Sequence, residues 1–321
     1  MNYSFYSIVE NDFQDVKDLI IDRLFSQVTL VEEISNYLVK AGGKRLRPLL
    51  VLLSTKALDY GDNKHINLAA VIEFLHTAML LHDDVVDDSS MRRGRKTVNA
   101  AWGNPASVLV GDFLHSRAFE MMVEIGDMRV MEILAHATNT IAQGEVHQLA
   151  NIGNAGLSEA SYMEVIRAKT AMLFEAASHS GAVLANGSAA QESALKDYGL
   201  HLGQAFQLVD DALDYEGDAA NLGKNVGDDL AEGKVTLPLI HAMRTGSAAE
   251  ADLIRKAVTE GGLQHLDEVL STVRSTGAIK YTMTQAAAQG DKAIKCLEHL
   301  PDSPYRKEMY NLVQFSLDRS F

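Results

Sequence analysis

Residues Leu68–Asp88 read LAAVIEFLHTAMLLHDDVVDD. Val71, Leu75, Ala78 and Leu81 recur at helical spacing, and further apolar residues fill the positions between them. A helix apolar on more than one face belongs at the centre of a bundle. This one ends in four carboxylates. On a helix, residues four apart share a face, so Asp83 is expected to align with Asp87, and Asp84 with Asp88. Like charges at that spacing destabilise a helix, and the helix C-terminus adds its own partial negative charge. Divalent cations would relieve both effects. Hard oxygen ligands offered in pairs, with room for water and phosphate oxygens, suit Mg²⁺.

The arrangement recurs downstream. Phe206-Gln207-Leu208-Val209 leads into Asp210-Asp211-Ala212-Leu213-Asp214, with Asp210 and Asp214 again four apart at the end of an apolar helix. One DDxxD run alone reads as a solvated helix end. Two of them, each closing an apolar helix, imply helices that face each other across one cavity. No Asp-x-Asp-x-Asp-Gly loop with a closing Glu is present, which disfavours a calcium loop.

Around these motifs the chain reads as helical throughout. Its 321 residues include five prolines and none between Pro105 and Pro238, which permits long uninterrupted helices. Phe13, Val16, Ile20 and Leu24 form one apolar stripe, and Val165, Leu173 and Ala176 belong to another. Turn signals at Tyr60–Asn63, Gly103–Pro105 and Asn151–Asn154 separate the helices. The sequence shows no repeat, low-complexity tract or linker, so a single all-α domain over residues 1–321 is expected. Hydrophobic residues make up 47% of the chain, enough to build a sizeable core. The lone Cys296 fits a reducing compartment. No signal peptide is evident, and Glu73 and His76 break the best membrane-span candidate. A cytoplasmic protein is expected. The net charge of −14 excludes the usual nucleic-acid binder. It also means that any anionic substrate needs a local basic cluster or metal ions.

Both are present. Gly42–Pro48 reads GGKRLRP before a helical pattern over Leu49–Leu58. Its glycines let backbone N–H groups approach a ligand, and the helix start favours anions. Lys44 and Arg47 add fixed positive charge, and a guanidinium suits bidentate phosphate contacts. Met91–Lys96, with Arg92, Arg93, Arg95 and Lys96, follows the first acidic run almost directly. Carboxylates that hold cations and guanidiniums that hold phosphate oxygens are what a metal–diphosphate site requires. Lys169-Thr170 sits mid-helix among apolar residues, and Lys224 and Lys234 follow the second acidic run. His76, about two turns before Asp83, reads as a phosphate donor, whereas His82 and Trp102 read as ordinary structural residues.

Taken together, GGKRLRP, HTAMLLHDDVVDDSSMRRGRKTVN, NPASVLVGDFL, KT, GQAFQLVDDALDY and LGKNVGDDLAEGKVTLPL resemble, in order and spacing, the trans-isoprenyl diphosphate synthases. Within that family the chain looks like the bacterial octaprenyl diphosphate synthases that supply quinone side chains. The resemblance spans essentially the whole chain. It implies an all-α isoprenoid-synthase bundle around a deep cavity, a homodimer, and three Mg²⁺ ions. By the same resemblance Asp83, Asp84 and Asp87 hold two ions, and Asp210, with Asp211 and Asp214 nearby, holds the third through water. Arg92, Lys169, Thr170, Gln207, Lys224 and Lys234 would bind an allylic diphosphate, and Lys44, Arg47, His76 and Arg93 would bind isopentenyl diphosphate. Transient membrane contact for product release is a further expectation.

Product length is read beneath Asp83. Ala78 and Met79 lie about one turn earlier and neither is aromatic, which predicts an open tunnel and a long product. Met122 and Leu134 are candidates for its floor, although both also read as plain core. A class I terpene cyclase would not need GGKRLRP or a second acidic run. A silent regulatory subunit would have lost aspartates that are all intact here. An acidic metal buffer would bind Ca²⁺ without turnover.

Overall fold

The structure, a computed structural model, describes residues 3–92, 94–216, 226–260 and 263–319. The main helices are α1 (Glu10–Arg23), α2 (Thr29–Ala41), α3 (Leu46–Ala57), α4 (Lys64–Val86), α5 (Asn104–Ile125), α6 (Met128–Ala150), α7 (Glu159–Ile166), α8 (Met172–Leu184), α9 (Ala189–Glu216), α10 (Leu237–Thr245), α11 (Ala248–Glu260), α12 (Leu266–Ser275), α13 (Ala278–Cys296) and α14 (Pro304–Leu317). A π-helical segment, Arg167–Ala171, joins α7 to α8. The only strands among the described residues are β1 (Met91–Arg92) and β2 (Arg95–Lys96), an antiparallel pair in which Met91 faces Lys96 and Arg92 faces Arg95. The all-α expectation is met.

The chain forms two compact units. The first comprises Met1–Thr138, Leu173–Gly199 and Cys296–Leu312. Its centre is α4, where Leu68, Ala69, Ala70, Val71, Ile72 and Leu75 are all fully buried. That burial on every face is what the sequence of α4 demands, and α1, α3 and α5 pack around it. Each fully buried large aliphatic side chain contributes about 1.5–3 kcal/mol. The second unit comprises Asn139–Met172, Leu200–Lys295 and Val313–Phe321. Its core gathers Leu208, Val209 and Tyr215 from α9 with Leu237, Leu239, Ile254, Val269 and Val273.

Two local expectations need correction. Helix α3 begins at Leu46 rather than Leu49, so Pro48 occupies its third position, where a missing N–H costs no helical bond. Helix α4 ends at Val86. Asp87 is its C-cap and still donates its N–H to the Asp83 carbonyl at 2.8 Å, so the Asp83–Asp87 relation holds. Asp88 has left the helix with φ 49°, so it does not share a helical face with Asp84. A left-handed residue just past the end is a usual way to stop a helix, and Asp tolerates it better than most. No helix among the described residues is long and apolar enough to cross a membrane.

Candidate active site

In the first unit the GGKRLRP stretch turns sharply before α3. Gly42 has φ 64° and ψ −163°, and Gly43 has φ 152°; L side chains rarely adopt either. Arg45, the N-cap of α3, is itself left-handed at φ 47°, and its guanidinium lies 3.6 Å from Glu73. Lys44 is exposed, and its carbonyl accepts from the Tyr6 hydroxyl. At the second position of α3, Arg47 Nη1 donates to His76 Nε2 at 3.2 Å, and the guanidinium stacks 4.3 Å over the Phe174 ring. Arg47 and His76, assigned to the same substrate by resemblance, are thus brought together.

Asp83 and Asp87 are half-buried at the end of α4, whereas Asp84 is 4% exposed. Arg92 Nε and Nη2 both reach Asp84 Oδ1 at 2.8 Å. Burial holds the Asp84 carboxyl above the usual range, outweighing the lowering by the Arg92 charge and its hydrogen bond, and Asp83 and Asp87 add a smaller push in the same direction. Polar side chains that the sequence reading left unassigned pin this helix end. Asn99 Nδ2 donates to the carbonyls of Asp84 and Ser89 at 3.0 and 3.1 Å. Thr97 Oγ1 donates to the Ser89 carbonyl at 2.6 Å, and Ser107 Oγ donates to the Leu81 carbonyl at 2.8 Å. Of these acceptors only the Asp84 carbonyl belongs to the last turn of α4, and it also takes the Ser89 N–H at 3.0 Å. Ala78, Met122 and Leu134 are buried and Met79 is half-buried. His82 donates to the Val108 carbonyl at 3.2 Å and stays a structural residue. Arg93 lies outside the described residues.

In the second unit Lys169 and Thr170 sit on the π-helical segment rather than on regular helix. A π turn inserts an extra residue and re-aims the side chains it carries, a device common at functional sites. Lys169 Nζ lies 2.7 Å from Glu145 Oε2 and 2.8 Å from Gln148 Oε1. Thr170 Oγ1 donates to Gln207 Oε1 at 2.8 Å, and Gln207 Nε2 donates to Asp211 Oδ1 at 2.6 Å. The second oxygen of Asp211 accepts from the Tyr162 hydroxyl at 2.5 Å. Burial, with Asp229 nearby, pushes the Asp211 carboxyl well up despite those two donors. Lys169, Thr170, Gln207, Asp211 and Lys234 line one cavity of about 120 Å³. Lys234 Nζ is 2.6 Å from Glu232.

Asp210 and Asp214 do not line that cavity. Asp214 is fully buried, and its Oδ2 accepts the Asp229 N–H at 3.2 Å. Asp210 Oδ1 is held at 2.8 Å by Arg319, which also donates to the Phe206 carbonyl at 2.7 Å and stacks 3.7 Å over the Phe206 ring. Neither Tyr162 nor Arg319 carried a sequence signal, since each meets its aspartate from a distant point in the chain. Lys224 lies outside the described residues.

The donor set fits hard divalent cations. The two acidic runs supply oxygen ligands only, and Asp84 and Asp211 are held as buried carboxyls whose ionised forms lack full compensation. Among the described residues no three acidic, His or Cys side chains converge closely enough to hold an ion alone. Mg²⁺ characteristically keeps several waters and takes phosphate oxygens beside one or two carboxylates.

The polyprenyl synthetase family model matches residues 28–273. The chain belongs to the polyprenyl synthetase family. It is therefore a prenyltransferase. The chain is 49% identical over 315 residues to an octaprenyl diphosphate synthase from Haemophilus influenzae, covering 98% of this chain and 96% of that one. It is 48% identical over 313 residues to the octaprenyl diphosphate synthase of Escherichia coli, covering 97% of each. Among solved structures, a polyprenyl synthase from Caulobacter crescentus complexed with calcium and isoprenyl diphosphate matches with a TM-score of 0.95 and 44% identity, over 98% of this chain and 97% of that one. A decaprenyl diphosphate synthase from Rhodobacter capsulatus matches at 0.93 and 42%, over 98% of each.

Proposed function

We propose that this polyprenyl synthetase makes a long trans-polyprenyl diphosphate, of octaprenyl length, by adding isopentenyl diphosphate units to an allylic primer such as farnesyl diphosphate. The observation that carries this reading is the near-full-length likeness, at 48–49% identity, to octaprenyl diphosphate synthases. The product would serve as a quinone side chain.

Asp83 and Asp87, with Asp84, would hold two Mg²⁺ ions, and Asp210 would hold a third. Both oxygens of Asp211 are taken by protein donors, and Asp214 is fully buried with Oδ2 on the Asp229 N–H, so their part is to set the charge and orientation of the second run. Bound Mg²⁺ supplies Lewis-acid neutralisation of the diphosphate as it departs. On the chain's side, Lys169, Thr170, Gln207 and Lys234, with Arg92 and Lys224, take the oxygens of the allylic diphosphate. Lys44, Arg47, His76 and Arg93 take those of isopentenyl diphosphate. The 3.2 Å contact between Arg47 and His76 supports that pairing, since both would converge on one phosphate. The allylic C–O bond then breaks, the alkene of isopentenyl diphosphate attacks the allylic cation, and the lost proton goes to the departed diphosphate. Apolar walls keep water from the cation. Ala78 and Met79 leave the growing chain room below Asp83, with Met122 and Leu134 deeper.

We propose a homodimer. Leu109 and Val123 are exposed apolar residues on α5, and Met128 is exposed at the start of α6; they support a further buried contact on that side of the first unit.

Incubation with farnesyl diphosphate, labelled isopentenyl diphosphate and Mg²⁺, followed by sizing of the products, tests the reading. A ladder that accumulates at eight isoprene units is expected. Cyclic hydrocarbons, or no consumption of label, would overturn it.

A further inference from the structure

A turn at the start of the chain reaches the GGKRLRP stretch. Residues Ser4–Ser7 form one short helical turn ahead of α1. Its aromatic side chains are anchored in the first unit. Phe5 is buried, and the half-buried Tyr6 packs edge-on against Phe13 of α1, with ring centroids 5.1 Å apart. A polar tie holds the same turn from another side. Ser4 Oγ donates to Glu308 Oε2 of α14 at 2.6 Å, and that oxygen also accepts from Asn311 Nδ2 at 3.0 Å. All of these residues belong to the first unit.

Held in this way, the Tyr6 hydroxyl donates to the Lys44 carbonyl. Burial, with the Glu73 charge adding to it, pushes the hydroxyl well above the usual tyrosine range, so it remains a donor. The acceptor sits where the backbone restrains itself least. Gly42 and Gly43 both have positive φ, and Arg45 is left-handed. A Cβ on Gly42 would meet nothing within 4 Å, so no wall confines the turn there. Glycines leave such a turn many alternative conformations, and ordering it on binding would cost affinity. In a trans peptide the carbonyl of Lys44 and the N–H of Arg45 point opposite ways. A donor on that carbonyl therefore fixes the whole peptide plane between the two basic residues.

We propose that Tyr6 is a positioning residue, whose hydroxyl ties down the Lys44 carbonyl and preorganises the turn for the diphosphate of isopentenyl diphosphate. The identity of that ligand rests on the synthase reading above, whereas the tether does not. Loss of the donor leaves Lys44 its charge but frees the turn, so affinity falls for one substrate. The allylic diphosphate is assigned to residues outside this turn and should be spared.

Tyr6→Phe keeps the ring in its packing and deletes only the donor. It should raise KM for isopentenyl diphosphate about three- to tenfold, the worth of one neutral hydrogen bond. kcat, KM for farnesyl diphosphate and the melting temperature should hold. Lys44→Ala should itself raise KM for isopentenyl diphosphate, and adding Tyr6→Phe to it should raise it by less than about twofold, because the tether acts through Lys44. A second arm uses no substrate. Trypsin should cut the folded chain after Lys44 or Arg45 about three- to tenfold faster in Tyr6→Phe, since cleavage follows the population of the opened turn. Cleavage at other sites should be unchanged. Ser4→Ala slackens the same turn and keeps the hydroxyl, so it should move both readouts the same way by less, and it carries the test if circular dichroism shows Tyr6→Phe unfolded. Equal cutting rates, an equal rise in both KM values, or full additivity with Lys44→Ala overturns the proposal. An unsubstituted chain that builds no prenyl ladder sinks the synthase reading instead, and the trypsin arm still decides the tether.

Discussion

Both oxygens of Asp211 are taken by protein donors, Oδ1 by Gln207 and Oδ2 by the buried Tyr162 hydroxyl. A buried carboxylate deprived of one such donor keeps its desolvation cost without the compensation. Tyr162→Phe should therefore destabilise the fold by about 1–3 kcal/mol, read from urea unfolding. In the Asp211→Asn background the same change should cost less, because the acceptor is then neutral. A loss within the scatter of ordinary surface substitutions would contradict the hydrogen bond. Cys296 offers a second test. Burial, with Asp197 nearby, pushes its thiol up to about 11 from 9.0. Only the thiolate is alkylated, and each unit of pKa is tenfold in thiolate fraction, so at pH 8 the folded chain should react roughly 100-fold more slowly than the urea-unfolded chain. Equal rates would mean that the thiol is exposed. At this scale the sequence was partly legible. The four-residue spacing of Asp83 and Asp87 is a local property of one helix and could be read directly. Tyr162 on Asp211 and Arg319 on Asp210 could not, because side chains 49 and 109 residues apart are joined by tertiary packing alone.

Among the elements, α4 was read correctly because its composition leaves no polar face, so its place at the centre of its unit follows from the sequence. Its end was harder to read, since the carbonyls on either side of the left-handed Asp88, those of Asp84 and Ser89, are held by Asn99 and Thr97 from beyond the helix. The π segment was invisible. Arg167–Ala171 has ordinary helical composition, and nothing local distinguishes an i→i+5 turn. Its packing gives it away. A Cβ on Gly144 would stand 2.8 Å from Ala168 Cβ and 3.2 Å from its carbonyl carbon, so α6 meets the segment through a glycine. Gly144→Ala should displace the segment, costing about 1–3 kcal/mol from overpacking. It should also lower kcat/KM for the allylic substrate more than for isopentenyl diphosphate, because Lys169 and Thr170 move with it. An equal effect on both substrates would assign the loss to general destabilisation. On α4, Ala78→Tyr should shorten the product by several isoprene units, seen by chromatography of the dephosphorylated alcohols, and an unchanged length would refute a tunnel beneath Asp83.

For the molecule as a whole, the constraint is charge. A chain of net charge −14 must bind diphosphates, and its two acidic runs would repel them unless cations intervene. The binding of anion and metal should therefore be mutually dependent. Inorganic diphosphate alone should leave the melting temperature unchanged, and Mg²⁺ alone should raise it little, because the carboxylates by themselves complete no coordination sphere. Together they should raise it by a few degrees, since a ligand at 100 times its Kd stabilises the folded state by about 2.7 kcal/mol. EDTA should abolish both the shift and turnover, and excess Mg²⁺ should restore them. In Asp83→Asn/Asp87→Asn the joint shift should shrink while the unliganded melting temperature holds or rises, because removing two like charges from the C-terminal end of α4 relieves repulsion and the helix dipole alike. A joint shift that survives that substitution would mean that the first acidic run does not hold the metal.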